Sequence, residues 1–132
     1  MLLTWLKHLN DRISPEELNR RMASSDKFLV LDVRRDIERQ GPDGWIPGSI
    51  NVPVSEFREK GVEIAERDDR PVITVCSHGL RSLYVLSPLK KRMPEREVLS
   101  LKGGMRAWNR KGFAVIKAEG ADHAPQLSRK EC

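Results

Sequence analysis

Short apolar runs recur along the chain, and each leads to a residue or turn suited to chemistry. Phe28-Leu29-Val30-Leu31 ends at Asp32, Pro71-Val72-Ile73-Thr74-Val75 ends at Cys76, and Val98-Leu99-Ser100-Leu101 leads to Gly103-Gly104. None alternates strictly between apolar and polar positions, which is the form of a strand buried on both faces. The stretches 36–40, 56–67, 83–93 and 105–111 have helical character. A further helix begins at Ser14-Pro15-Glu16-Glu17: Ser14 is the N-cap, Pro15 takes the first helical position and Glu17 completes a capping box. Leu18 and Met22 then share its buried face. Pro88 would remove a backbone hydrogen bond within the 83–93 segment, so a break is expected there, with Ser87 as a cap. Strands alternating with helices predict an α/β domain with a mainly parallel central sheet.

In such sheets ligands bind beyond the carboxyl ends of the strands, where Asp32, Cys76 and Gly103-Gly104 all fall. A cysteine at a strand end is more often a small packed hydrophobe than a nucleophile. The residues that follow Cys76, Ser77-His78-Gly79-Leu80-Arg81-Ser82, change that balance. Gly79 permits a backbone conformation other residues resist, Arg81 brings a permanent cation, and Ser82 is placed to cap the next helix. A tight loop between a strand and a helix start turns successive backbone N–H groups inward, and these together with Arg81 favour an anionic, reactive sulfur at Cys76.

At 132 residues the chain suits one domain with a core of several strands and helices. Two cysteines, one mid-chain and one at position 132, make a poor disulfide framework and point to a reducing compartment, the cytoplasm. Met1 to Leu6 is apolar, but Lys7 and His8 interrupt it, so neither export nor membrane insertion is predicted. The net charge of +5 comes from scattered basic residues and one compact run, Lys90-Lys91-Arg92, without the stripe of cations and stacking aromatics that nucleic acid requires. A mildly positive field suits a small anionic substrate instead. His8, His78 and His123 are dispersed and no paired-cysteine motif exists, so no metal and no cofactor is expected.

Three ordered motifs carry a resemblance to the rhodanese family of sulfurtransferases. Leu31-Asp32-Val33-Arg34 with Glu38 and Ile46-Pro47-Gly48-Ser49-Ile50-Asn51-Val52-Pro53 resembles its first signature. Cys76 to Ser82 resembles its active-site loop, and Leu101-Lys102-Gly103-Gly104-Met105-Arg106-Ala107-Trp108 with Gly112 its last signature. The resemblance implies a rhodanese-like domain over residues 13–116, its sheet flanked by helices on both faces, with an N-terminal extension over 1–12 and a flexible tail over 117–132. It also implies ping-pong transfer of sulfane sulfur from thiosulfate or a similar donor, through a Cys76 persulfide, to a thiol, cyanide or protein acceptor. Cys76 is then the nucleophile, Ser77, His78, Gly79, Leu80, Arg81 and Ser82 hold the substrate, and Arg81 binds its anionic end. Asp32 and Arg34 support the site, Asp32 as a structural acceptor rather than a base, and Gly103 and Gly104 form a turn packed near the loop.

The alternatives are a persulfide relay dedicated to a partner protein, or a silent module used for binding. Phosphatases and arsenate reductases of the same architecture carry one more residue between cysteine and arginine; this chain has four, Ser77 to Leu80, and the smaller cradle suits sulfur. The segment Arg39 to Trp45 departs from the family pattern in its length, with an insertion over 41–44, and in having Trp45 where a histidine is common. Trp45 is expected in the core before the site rim, and Cys132 is a remote candidate for a second thiol.

Overall fold

A computed structural model describes residues 6–24 and 27–118. The chain forms strands β1 (Arg12–Ile13), β2 (Leu29–Asp32), β3 (Ile50–Asn51), β4 (Val72–Val75) and β5 (Val98–Leu101). All pair in parallel, in the order β1-β5-β4-β2-β3. The three strands legible as apolar runs are the three central ones. The edge strands β1 and β3 have only two residues each and lack such a run, which is why the sequence pattern does not mark them. Among the described residues no helix is long and apolar enough to cross a membrane.

Period-two alternation along the central strands divides the core into two layers. Leu29, Leu31, Val72 and Val98 face one layer, with Phe57, Leu83, Leu86 and Leu89. Val30, Ile73, Val75 and Leu101 face the other, with Leu18, Met105 and Trp108. Helices α1 (Pro15–Ala23) and α7 (Gly104–Arg110) cover the second layer, while α3 (Val54–Glu56), α4 (Val62–Glu66), α5 (Arg81–Tyr84) and α6 (Leu86–Arg92) cover the first. The short α2 (Asp36–Arg39) follows β2. The helices therefore flank both faces of the sheet.

Several local expectations are corrected. Ser14 accepts from the Glu17 N–H at 3.0 Å, but the Glu17 carboxylate turns to Arg20, so only half of the capping box forms. The break expected at Pro88 lies at Val85, between α5 and α6; Pro88 sits in the first turn of α6, where its missing N–H has no intrahelical partner to lose. Ser87 is not a cap, and its hydroxyl meets His8 Nε2 at 2.9 Å. The predicted 56–67 helix starts two residues earlier and carries a π turn over Phe57–Gly61, where Gly61 leaves room for the Phe57 ring. Trp45 is not a core residue. It is half-buried beneath the Arg39 guanidinium, 4.8 Å from its ring centroid, and its backbone pairs with Ile116. The tail from 119 onward, Cys132 included, lies outside the described residues.

A buried ion pair closes the carboxyl end of β2. Asp32 and Arg34 are each 1 % exposed, and the guanidinium meets the carboxylate at 3.0 and 2.8 Å while the Arg34 N–H donates to it at 3.1 Å. Arg34 also donates to the Gly44 carbonyl at 2.6 Å, fastening the 41–44 insertion to the sheet. Removing one partner of such a pair leaves an uncompensated charge in a dry interior. Asp32→Ala is accordingly expected to destabilise the fold by about 3–5 kcal/mol, read as a lower urea midpoint.

Candidate active site

Strand β4 is central, so the loop after it emerges at the middle of the sheet's carboxyl edge. The loop wraps back on the side chain that begins it. Cys76 Sγ accepts the Gly79 N–H at 3.0 Å and the Ser82 N–H at 3.3 Å, and lies 3.4 Å from Ser82 Oγ. Two backbone donors thus converge on the sulfur, the thiol in turn reaches the Ser82 hydroxyl, and Cys76 itself is 1 % exposed. Donors aimed at one point stabilise negative charge there at little cost in reorganisation.

The outside of the loop is held by α7. The Cys76 and Ser77 carbonyls accept from the Met105 and Arg106 N–H groups at 2.8 and 3.0 Å, satisfying the first turn of that helix. The N–H groups that reach the sulfur belong to later peptide units, those of Gly79 and of Ser82, the latter with its Arg81 carbonyl turned to the Val85 N–H at 3.2 Å. So close an approach to α7 excludes side chains: a Cβ on Gly104, which has φ +60°, would collide with the Cys76 carbonyl and with Ser77. Gly79, at φ +101°, faces Gly103 from the opposite side, where a Cβ would sit 2.9 Å from the Gly103 nitrogen.

Arg81 does not present a bare cation. Its guanidinium grips Glu38 of α2 through two bonds of 2.8 Å, and Ser77 Oγ joins the pair, donating to Glu38 at 3.3 Å and accepting from Arg81 at 3.4 Å. Glu38 also accepts the Arg35 N–H at 2.8 Å. Hydrogen bonding from Arg81 holds the Glu38 carboxyl well below the usual carboxylate range, against the opposing effect of partial burial, and Glu38 in turn raises the Arg81 guanidinium.

The structure brings Cys76, Ser77, Gly79, Arg81, Ser82, Gly103 and Gly104 together. His78 and Leu80 are exposed on the loop's outer surface. Ser82 is not a helix cap; it stands within the first turn of α5, fully buried. Asp32 and Arg34 form their own buried clamp, and Asn51 donates to both of their carbonyls at 2.9 and 2.8 Å. Glu38, in sequence only part of the first signature, is a site residue in the structure through its bonds to Arg81. Its signal is an acidic residue four positions past Arg34, on a short helix at the sheet edge where the loops gather.

Comparison with known proteins gives a consistent answer. A sequence profile of the rhodanese-like domain matches residues 14–111. A sulfurtransferase of Allochromatium vinosum is 32% identical over 110 residues, covering 83% of this chain and 98% of that protein. The adenylyltransferase and sulfurtransferase UBA4 of Yarrowia lipolytica is 37% identical over 99 residues, 74% of this chain but 23% of that longer protein. The crystal structure of a rhodanese-related protein from Thermoplasma volcanium superposes with a TM-score of 0.68 at 32% identity, covering 81% of this chain and 98% of that one.

Because the folded Glu38 carboxyl lies below its unfolded value, the pair contributes stability that is complete above the ordinary carboxylate range and is lost as pH falls through the folded value. Glu38→Gln is therefore expected to be less stable than wild type near neutrality, with the difference in urea midpoint shrinking as the pH is lowered below about 4. A constant difference across that range would show that the carboxylate charge contributes nothing.

Proposed function

The chain belongs to the rhodanese-like domain family, and from that premise we propose that it is a sulfurtransferase that carries sulfane sulfur on Cys76. The observation that supports this most directly is the convergence of the Gly79 and Ser82 N–H groups, with the Ser82 hydroxyl beside them, on a sulfur five residues ahead of the first residue of the next helix. Such an arrangement serves an anionic sulfur in both halves of a transfer reaction.

In the proposed reaction the Cys76 thiolate attacks the outer sulfur of thiosulfate. The sulfur–sulfur bond breaks, sulfite leaves with the bonding electrons, and Cys76 holds a persulfide. A thiolate, cyanide or a protein acceptor then attacks the outer sulfur of that persulfide, and the Cys76 thiolate is restored. No net oxidant or reductant is consumed. Arg81, already shared with Glu38 and Ser77, orients the oxyanion end of the donor by exchanging part of its bonding to Glu38 for bonds to the donor. The described cysteine is a free thiol, which fits a reducing compartment such as the cytoplasm.

The 1 % exposure of Cys76 favours a second reading, a module that binds a partner with its cysteine kept covered. A persulfide relay that serves one protein acceptor is told apart by kinetics, since it accelerates with that partner and not with small thiols or cyanide.

Intact-protein mass spectrometry after brief thiosulfate treatment tests the reading. A gain of one sulfur, reversed by a thiol reductant and lost in Cys76→Ser, is expected. A folded protein that gains nothing would overturn the assignment in favour of the silent module, or of phosphate-ester chemistry if such esters are hydrolysed. Arg81→Ala is expected to lower kcat/KM for thiosulfate by the equivalent of about 1.5–3 kcal/mol, the range for hydrogen bonds to a charged group. Unchanged thiosulfate kinetics would remove Arg81 from donor binding.

A further inference from the structure

Beneath the loop lies a buried line of polar atoms in an otherwise apolar layer. Thr74 of β4 and Ser100 of β5 are register partners on adjacent strands, and period two turns both toward the layer covered by α5. Thr74 Oγ1 donates to the Ser82 carbonyl at 2.7 Å. Ser100 Oγ meets Ser82 Oγ at 2.7 Å, and Ser82 Oγ lies 3.4 Å from Cys76 Sγ. Ser82 and Ser100 are both 0 % exposed, and Ser82 is the hydrogen-bond partner of the Ser100 hydroxyl among the described residues.

The atoms Sγ, Ser82 Oγ and Ser100 Oγ therefore form a row with two links. With a neutral thiol the row contains three hydrogens: the thiol donates to Ser82 and Ser82 to Ser100, and the Ser100 hydrogen is left with no acceptor within the row. With an anionic sulfur it contains two. Ser100 then donates to Ser82, Ser82 donates to the sulfur, and both links are filled in one direction. A buried donor left unpaired is costly, and aligned hydroxyls polarise one another.

From this count we infer that Ser100 is a positioning residue for the sulfur anion: it occupies the acceptor side of Ser82 and so aims the Ser82 hydroxyl at Cys76. Among the described hydrogen bonds Ser100 reaches Ser82 and not the sulfur. It acts through Ser82, from a different strand and 18 residues along the chain. The inference deepens the proposal that Cys76 reacts as an anion, but its test requires no sulfur transfer.

The test is the rate of Cys76 alkylation by iodoacetamide as a function of pH in wild type, Ser100→Ala, Ser82→Ala and the double variant, each first shown to be folded by circular dichroism. Cys132 is replaced by Ser throughout so that one thiol is read. Ser100→Ala is expected to react about two- to tenfold more slowly than wild type near neutrality, the span corresponding to one hydrogen bond. At alkaline pH, where every variant is fully ionised, the rates converge. In the Ser82→Ala background, Ser100→Ala is expected to add nothing, because its route to the sulfur is gone. Wild-type rates in Ser100→Ala, or an equal slowing with and without Ser82, or a slowing that persists unchanged at alkaline pH, would each overturn the inference and leave Ser100 a packing residue. Loss of persulfide formation with these alkylation results intact would instead count against sulfur transfer alone.

Discussion

The contact between the Cys76 loop and the first turn of α7 is the constraint on which the rest of the site depends. The Cys76 and Ser77 carbonyls are spent on the Met105 and Arg106 N–H groups, which pins the start of the loop against α7, while the N–H groups that reach the sulfur come from further along it, at Gly79 and Ser82. The loop that carries the sulfur's donors is thus anchored at its start by α7. That arrangement works only at backbone distance, which is why both partners meet through glycines, Gly79 from one side and Gly103-Gly104 from the other. This packing gives the loop its shape.

Charge around the site is distributed to hold that shape. Four groups, Arg81, Glu38, Ser77 and the Arg35 N–H, share a single hydrogen-bonded cluster at the mouth of the loop. Arg81 consequently fixes α2 against the loop, and under the proposed reaction it also meets the anionic donor. One side chain serves two ends, and the balance between them is set by how well a donor competes with a carboxylate already in place. A lysine could not replace it, since the grip on Glu38 uses two parallel donors of the planar guanidinium.

The central strands, the cysteine loop and the glycine turn were legible because each is a local signal: an apolar run, a Cys-to-Arg spacing, a pair of adjacent glycines. The edge strands were not, because two residues are too few to show a period and their pairing is dictated by the neighbouring strand. Glu38 was missed as a working residue because its importance comes from Arg81, 43 positions away. Residue type alone puts Trp45 in the core, whereas it is half-buried beneath Arg39 with its backbone paired to Ile116, contacts that no local pattern announces. Ser100 sat in plain view as the one hydroxyl in an apolar run, as Thr74 did in another. Read singly each is a neutral interruption; only the register that sets the two strands side by side makes them a pattern.

The two-residue edge strands carry a consequence of their own. A long bare edge invites another chain to add a strand by main-chain pairing, the route both to peptide capture and to unwanted aggregation. Here β1 and β3 are too short to template such an addition. Recognition of another protein is then left to side chains at the surface, so specificity rests on shape and charge there and can diverge without disturbing the sheet.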